Sequence, residues 1–364
     1  MNNTSLKLKS LIYSLLTFTT VVSTSAHVSS ADLELSEIPS TKRQYKLIFD
    51  NQNHNASRTW LQENFPIQKI PSTFSLTAGG VSASLPKTCS LVSNMPAIYD
   101  QGNLGSCTAN AIAAAMQYDR RKQKLTDYTP SRLMIYWLER SLEGTINQDS
   151  GASLSDGIRA MIQYGACPET MWPYDDGSTQ FKVQPTTACY TAAKQDMDLD
   201  KLSLASISQT LNSIKSVLYQ NIPIVFGINV YSSFESATVA RTGIVPMPNT
   251  RREQLLGGHA LVLAGYDDTQ SQFIVRNSWG TSWGQSGYCR MPYNYVINPS
   301  LSSDFWSISK VGSGTSQTTP VTNPGKNTGS VVGTTDVINT SFTSFGANFW
   351  QTSLYESILM KQYS

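Results

Sequence analysis

Charge is scarce in this chain. Of 364 residues only 14% are Asp, Glu, Lys or Arg, and 27 basic against 25 acidic side chains leave a formal charge of +2. So even a balance supplies no long-range field for nucleic acid or an anionic membrane, and neither is expected as a partner. Histidine is scarcer still: there are three, so a reaction that needs an imidazole has few candidates. The five cysteines are an odd number and cannot all pair. No C-x-x-C spacing occurs among them and no phosphate-binding glycine loop is present, so neither a metal nor a cofactor is expected. Apolar residues still make up 40% of the chain, enough for a sizeable core, which excludes wholesale disorder.

Long hydrophobic runs are lacking too. Leu11–Val22 has 12 residues, against about 20 needed to span a bilayer. Lys7 and Lys9 precede it and Thr24-Ser25-Ala26 follows. Charged, apolar and small residues in that order read as an export signal over residues 1–26, cut after Ala26. The mature chain is therefore expected outside the cell or in a periplasm, without a membrane span, as a monomer, in a compartment that permits disulfides.

Residues 27–84 read as a leader, with a strand at Tyr45–Phe49 and a short helix near Ala56–Glu63. It ends in Ala78-Gly79-Gly80-Val81-Ser82-Ala83-Ser84, small flexible residues of the kind that proteases cut. Residues 85–310 hold the dense apolar pattern and all five cysteines, and form the compact domain. Gly, Ser, Thr, Asn and Pro dominate 311–336, a linker, before aromatics return in a tail over 337–364.

Within the domain, Ala109–Tyr118 is rich in alanine and poor in charge, which predicts a buried helix. Pro130–Arg140 and Ser155–Tyr164 are further helical patterns. Pro223–Val230, His259–Tyr266, Gln272–Asn277 and Gly287–Met291 are rich in β-branched residues and predict strands. Helices first and strands second point to an α+β fold with two lobes.

Cys107 is the odd cysteine by context. It follows Gln101-Gly102-Asn103-Leu104-Gly105-Ser106 and starts the alanine-rich helix. A thiol at a helix N-terminus feels the positive end of the dipole, which favours the nucleophilic thiolate. The flanking glycines argue that it is accessible. A cysteine nucleophile needs a base, and His27 and His54 lie in the leader. That leaves His259, in Gly257-Gly258-His259-Ala260 at the start of an apolar run. An imidazole in turn needs a group that fixes its tautomer. Asn277, in Arg276-Asn277-Ser278-Trp279-Gly280, can accept the ring N–H, with Trp279 covering that bond from water. Taken singly, His259 reads as a core histidine and Asn277 as a turn residue.

Together these stretches resemble the papain-like cysteine peptidases of the C1 type, over roughly Leu85 to Ile308. The most specific block is Asn277-Ser278-Trp279-Gly280-Thr281-Ser282-Trp283-Gly284. Gly258-His259-Ala260, Gln101-Gly102 with Gly105-Ser106-Cys107, and Trp172-Pro173-Tyr174 match further blocks in order. Two positions depart: Leu104 and Thr108 stand where the family carries Cys and Trp. The chain thus resembles a divergent secreted branch.

The resemblance implies a two-lobe fold, a helical lobe carrying the cysteine and a β-barrel-like lobe carrying the histidine and asparagine. It implies Cys107 as nucleophile, His259 as its base and acid, Asn277 as orienter and Gln101 as oxyanion donor. Gly151 and Ala152 would pair with the substrate backbone, and Gly258 would lie near the pocket for the second residue before the cut. Protein or peptide substrates follow, with hydrolysis through a thioester in a secreted endopeptidase made as a zymogen. Its propeptide over 27–84 would be its own inhibitor. An exopeptidase or acyltransferase on the same residues, or a non-catalytic binding protein, are the other readings. The four remaining cysteines allow three pairings, of which Cys167–Cys189 and Cys89–Cys289 is favoured.

Overall fold

The computed structural model describes residues 46–50, 55–65, 67–70, 77–78, 81–82, 85–196 and 202–310. The export signal, His27, His54, the linker and the tail lie outside the described residues. In chain order the leader contributes α1 (Ala56–Asn64), β1 (Gln68–Ile70), β2 (Thr77–Ala78) and β3 (Val81–Ser82). Then follow β4 (Thr88–Ser90), α2 (Cys107–Lys122), α3 (Arg132–Glu143), α4 (Leu154–Tyr164), α5 (Thr187–Asp196) and β5 (Leu202–Ile207). The chain continues with α6 (Leu211–Tyr219), β6 (Ile224–Tyr231), α7 (Ala237–Thr242) and β7 (Leu255–Asp267). It closes on β8 (Gln272–Arg276), β9 (Tyr288–Pro292), α8 (Tyr293–Val296) and β10 (Ser302–Lys310).

The alanine-rich segment is a helix because Ala109, Ala111 and Ala113–Ala115 cost little rotamer entropy and let neighbours approach on every side. So α2 packs on α3 and α4 and also on β7 and β10, and forms the wall that the two lobes share. In α3, Ser131 caps the helix by accepting from the Met134 N–H, and Gly144 in the left-handed conformation ends it. In α4, Ser153 and Asp156 form a reciprocal capping box. These ends fix where the loop between α3 and α4 enters and leaves, and that loop borders the cleft.

The sheet runs β1-β5-β10-β6-β7-β8-β9, with β4 on β7. All pairs are antiparallel except β1 on β5, a parallel strand that the leader adds to the domain. The register sets His259 opposite Ile228 and Gly258 opposite Asn229. Helices and strands are not strictly segregated in sequence as expected: β4 precedes the helices and α6 falls between β5 and β6. Ala78 and Val81, expected in a flexible end, pair in the short β2–β3 hairpin.

The expected disulfides are not formed: all five cysteines carry free thiols. Cys89 and Cys289 are too far apart to pair. Cys89 lies on β4 opposite Tyr266, Tyr266 opposite Phe273, and Phe273 opposite Met291 on the strand that bears Cys289. Three strand spacings of about 4.8 Å exceed the roughly 7 Å Cα limit of a disulfide. The Cys89 thiol instead faces the Leu218 carbonyl at 3.5 Å. Cys167 and Cys189 are neighbours: burial, and then Cys189, push the Cys167 thiol up to about 12, and Thr186 Oγ1 donates to Cys189 Sγ at 3.3 Å.

Candidate active site

Cys107 is the first residue of α2, and His259 and Asn277 come from the strands it packs against. His259 lies in β7 and Asn277 directly after β8, brought near it by the antiparallel pairing of Val262 with Arg276. His259 Nε2 donates to Asn277 Oδ1 at 2.9 Å. The same oxygen accepts the Ser278 backbone N–H at 2.8 Å, which fixes it as the oxygen end of the amide. The proton of the neutral imidazole is thereby held on Nε2, and Nδ1 is the basic edge. Trp279 stacks on the imidazole, centroids 4.8 Å apart and 23° between planes, and is itself held by Phe234 and Trp283. His259, Asn277 and Trp279 are all buried, so little water competes for the Nε2 bond.

Gln101 ties the two walls together. Its backbone N–H donates to Ser278 O at 2.9 Å, and its Oε1 accepts from Ser278 Oγ at 2.7 Å. One amide N–H donates to Leu104 O at 3.0 Å. The side chain six residues before Cys107 is therefore immobilised at both its amide oxygen and its amide nitrogen.

Cys107 is fully buried, contrary to the accessibility expected from its glycines. The glycines do allow close approach, but what approaches is the leader. Leu47 N–H donates to Gly258 O and Ile48 N–H to Ala152 O, each at 2.9 Å. Leu47 forms a parallel bridge with Ala152. Gly151 has φ +79°, and a Cβ there would sit 1.7 Å from the Lys46 carbonyl oxygen. A Cβ on Gly258 would come within 2.5 Å of the Leu47 carbonyl oxygen. Both positions need glycine for an extended chain to lie between the lobes. Leu47 and Phe49 fill the space above Gly227 and Gly258, and Leu47 is buried.

Burial pushes the Cys107 thiol up to about 12, while hydrogen bonds from the backbone of Ala260, Lys46 and Thr108 pull it down. With the leader seated, desolvation wins over those donors and the thiol is neutral. Glu139, fully buried beneath α2, accepts from Thr108 Oγ1 at 2.8 Å and is held well above the usual carboxylate range by burial. Thr108, where the family carries Trp, thus spends its hydroxyl on a buried carboxylic acid.

The structure brings together every residue singled out from the sequence for chemistry: Cys107, His259, Asn277, Gln101, Trp279, Gly151, Ala152 and Gly258. It adds residues that sequence reading passed over: Lys46, Leu47, Tyr136, Glu139, Asp149 and Ser278. Asp149 had a signal, since it lies two residues before the Gly151-Ala152 pair already marked. Among the described residues no cluster of His, Cys, Asp or Glu could hold a metal ion, and no helix is long and apolar enough to cross a membrane.

Comparison with known proteins agrees with this geometry. Residues 85–303 match the papain family cysteine protease domain. An uncharacterized peptidase C1-like protein of Acanthamoeba polyphaga mimivirus is 44% identical over 218 residues, 58% of this chain and 69% of that protein. A cathepsin B-like protein of Giardia intestinalis is 26% identical over 203 residues, and the match spans 64% of its length. Among solved structures, xylellain, a cysteine protease from Xylella fastidiosa, superimposes with a TM-score of 0.59 at 38% identity, covering 68% of this chain and 96% of that one. With a matched domain over more than half its length, two lobes and a cysteine at the head of the shared helix, the chain belongs to the papain family of cysteine peptidases.

Proposed function

We propose that the chain is a secreted cysteine endopeptidase made as a zymogen, with residues 27–84 as its inhibitory leader and 85–310 as the peptidase domain. In the open enzyme Cys107 Sγ attacks a peptide carbonyl carbon and its proton passes to His259. The tetrahedral oxyanion is met by the Gln101 amide and the Cys107 backbone N–H, each worth about 2.7–4 kcal/mol if the donors are pre-aimed. Collapse breaks the C–N bond, His259 returns the proton to the leaving amine, and water hydrolyses the thioester. Asn277 keeps Nε2 protonated so that Nδ1 serves as base. Gly151, Ala152 and Gly258 take the substrate main chain.

The observation that carries this reading is the path of Lys46–Ile48. An extended chain occupies the cleft by main-chain hydrogen bonds to both lobes, which is how a peptide substrate would be held. Yet the group presented to the sulfur is the Lys46 N–H, while the Lys46 carbonyl points at Gly151. A hydrogen-bond donor offers the thiol no electrophilic carbon, so the leader blocks without being cut there.

The test is labelling with an epoxysuccinyl thiol-peptidase probe, beside Cys107→Ala, before and after limited proteolysis of the leader. Label on Cys107 only after proteolysis is the expected result. Equal labelling before and after would remove the inhibitory role of the leader and keep the enzyme. No labelling of the folded protein in either state would overturn the peptidase mechanism.

A further inference from the structure

The end of the cleft nearest the sulfur is an acidic slot. Lys46 lies with its N–H at Cys107, and its side chain runs over Gly105, where a Cβ would come within 2.5–2.9 Å of three of its carbons. Its Nζ ends 2.7 Å from Asp149 Oδ2 and 2.6 Å from the Asp149 carbonyl oxygen. The Asp149 carboxylate is not a loose surface charge. Tyr136 donates its hydroxyl to it, and the Gly105 N–H donates to both oxygens at 3.0 and 3.3 Å. The loop that delivers it is pinned from inside by Arg140, which is buried and donates to Ile146 O at 2.7 Å and Gln148 O at 3.1 Å.

The polarity of this slot is one-sided. The Tyr136 hydroxyl and the Gly105 N–H are both spent on Asp149 itself, and the atoms that meet the Lys46 ammonium are two acceptors, Asp149 Oδ2 and the Asp149 carbonyl oxygen. A side chain tipped with a carboxylate would find like charge. One tipped with an apolar group would leave the acceptors dry and unpaired. Lysine and arginine bring donors and a positive charge on a straight aliphatic stem, and the glycine wall at Gly105 gives that stem room.

We propose that Asp149 is the specificity-determining residue of this cleft, selecting substrates with lysine or arginine at the residue beside the reacting carbonyl. In the resting chain Lys46 of the leader occupies that slot in place of the substrate's cation. This deepens, and rests on, the reading of the chain as a peptidase.

The test profiles the full-length protein after limited proteolysis of its leader, using fluorogenic peptides that differ only in the residue before the cut: Lys, Arg, Met, Gln and Glu. The expected preference for Lys and Arg over Met is about tenfold or more in kcat/KM, the usual size of a charge-assisted hydrogen bond in a partly screened site. Asp149→Asn should collapse the Lys-to-Met ratio toward one, chiefly through a raised KM for the cationic peptides. Similar turnover of all five peptides by the wild type would overturn the cation slot and leave the peptidase standing. So would an Asp149→Asn enzyme that keeps the wild-type ratio. If that variant fails to fold, the wild-type profile alone decides. No turnover of any peptide, with no probe on Cys107 after leader removal, would overturn the peptidase reading and this assignment with it.

Discussion

The leader and the domain it covers differ in how deeply their side chains are buried. The domain buries an almost continuous set of aliphatic and aromatic side chains between α2, the helices beside it and the sheet. The leader buries few: Leu47, Leu61 and Ser57 are its buried residues among those described. Phe49, Trp60, Phe65 and Ile67 pack partly buried against the core, and its other side-chain ties are polar. Arg58 bridges Asp50 at 2.7 Å and also pairs with Asp304, Ser155 Oγ donates to Asp50 at 2.7 Å, and Ser57 Oγ donates to the capping carboxylate Asp156 at 2.5 Å. Apolar burial of the kind seen in the domain accumulates free energy with area, whereas Arg58 faces carboxylates that are only 4% and 7% exposed, so its attraction to them is offset by the cost of burying charge. On this contrast the domain's core is expected to stand when the leader is removed.

The largest expected effect separates chemistry from covering. Cys107→Ala should reduce peptide turnover by the proteolysed protein to background while leaving the leader docked in the uncut chain, as judged by unchanged resistance of residues 46–65 to added protease. Next is thiol reactivity. In the uncut chain burial holds Cys107 near 12. Its thiolate fraction, and so its alkylation rate by iodoacetamide, should rise about tenfold per pH unit from 7 to 10 without a plateau. Leader removal should raise the rate at pH 7 by about a hundredfold or more and bring in a plateau at lower pH. An alkylation profile identical before and after proteolysis would erase the distinction between the two regions.

Within the domain, Gln101→Ala should lower kcat of the proteolysed enzyme by about 10²–10³-fold, the usual loss for one oxyanion donor. It should not speed labelling of the uncut chain. Matched truncations then compare the two regions directly. Phe226→Ala, which removes a buried ring stacked on Phe305 at 5.4 Å, should cost the domain about 3–5 kcal/mol in denaturant unfolding. Leu47→Ala should leave the domain's unfolding midpoint in place and accelerate probe labelling of the uncut chain instead. The smallest effect is Ser57→Ala, about 1.5–3 kcal/mol of leader docking for a buried hydrogen bond to a carboxylate, seen as a rise in the same labelling rate.

Reading the chain residue by residue recovered the elements whose pattern is local. The alanines of α2, the capped start of α4 and the β-branched run of β7 each announce themselves within about a dozen residues. Strand β7 begins four residues earlier than expected, at Leu255, because Gly257 and Gly258 look like a break until β6 supplies their partners. Strand β10 was passed over, since Ser302-Ser303-Asp304 and Ser307 make it polar; it is a strand because β5 and β6 pair with it on both sides. The Cys89–Cys289 expectation failed for a related reason: sequence says nothing of how many strands stand between two thiols, whereas Cys167 and Cys189 are neighbours.

The sequence by itself determined which groups could do the chemistry. A lone cysteine at a helix start, one histidine outside the leader and an Asn-Ser-Trp block are choices of side-chain type, and type is written one residue at a time. Only the tertiary structure decided the state those groups are in. Lys46 and Asp149 are distant in sequence, Leu47 and Gly258 still more so, yet their contacts close the cleft, neutralise the thiol and leave an acidic slot beside it. Desolvation is a property of everything that surrounds an atom, and no reading along the chain can supply the neighbours that folding brings.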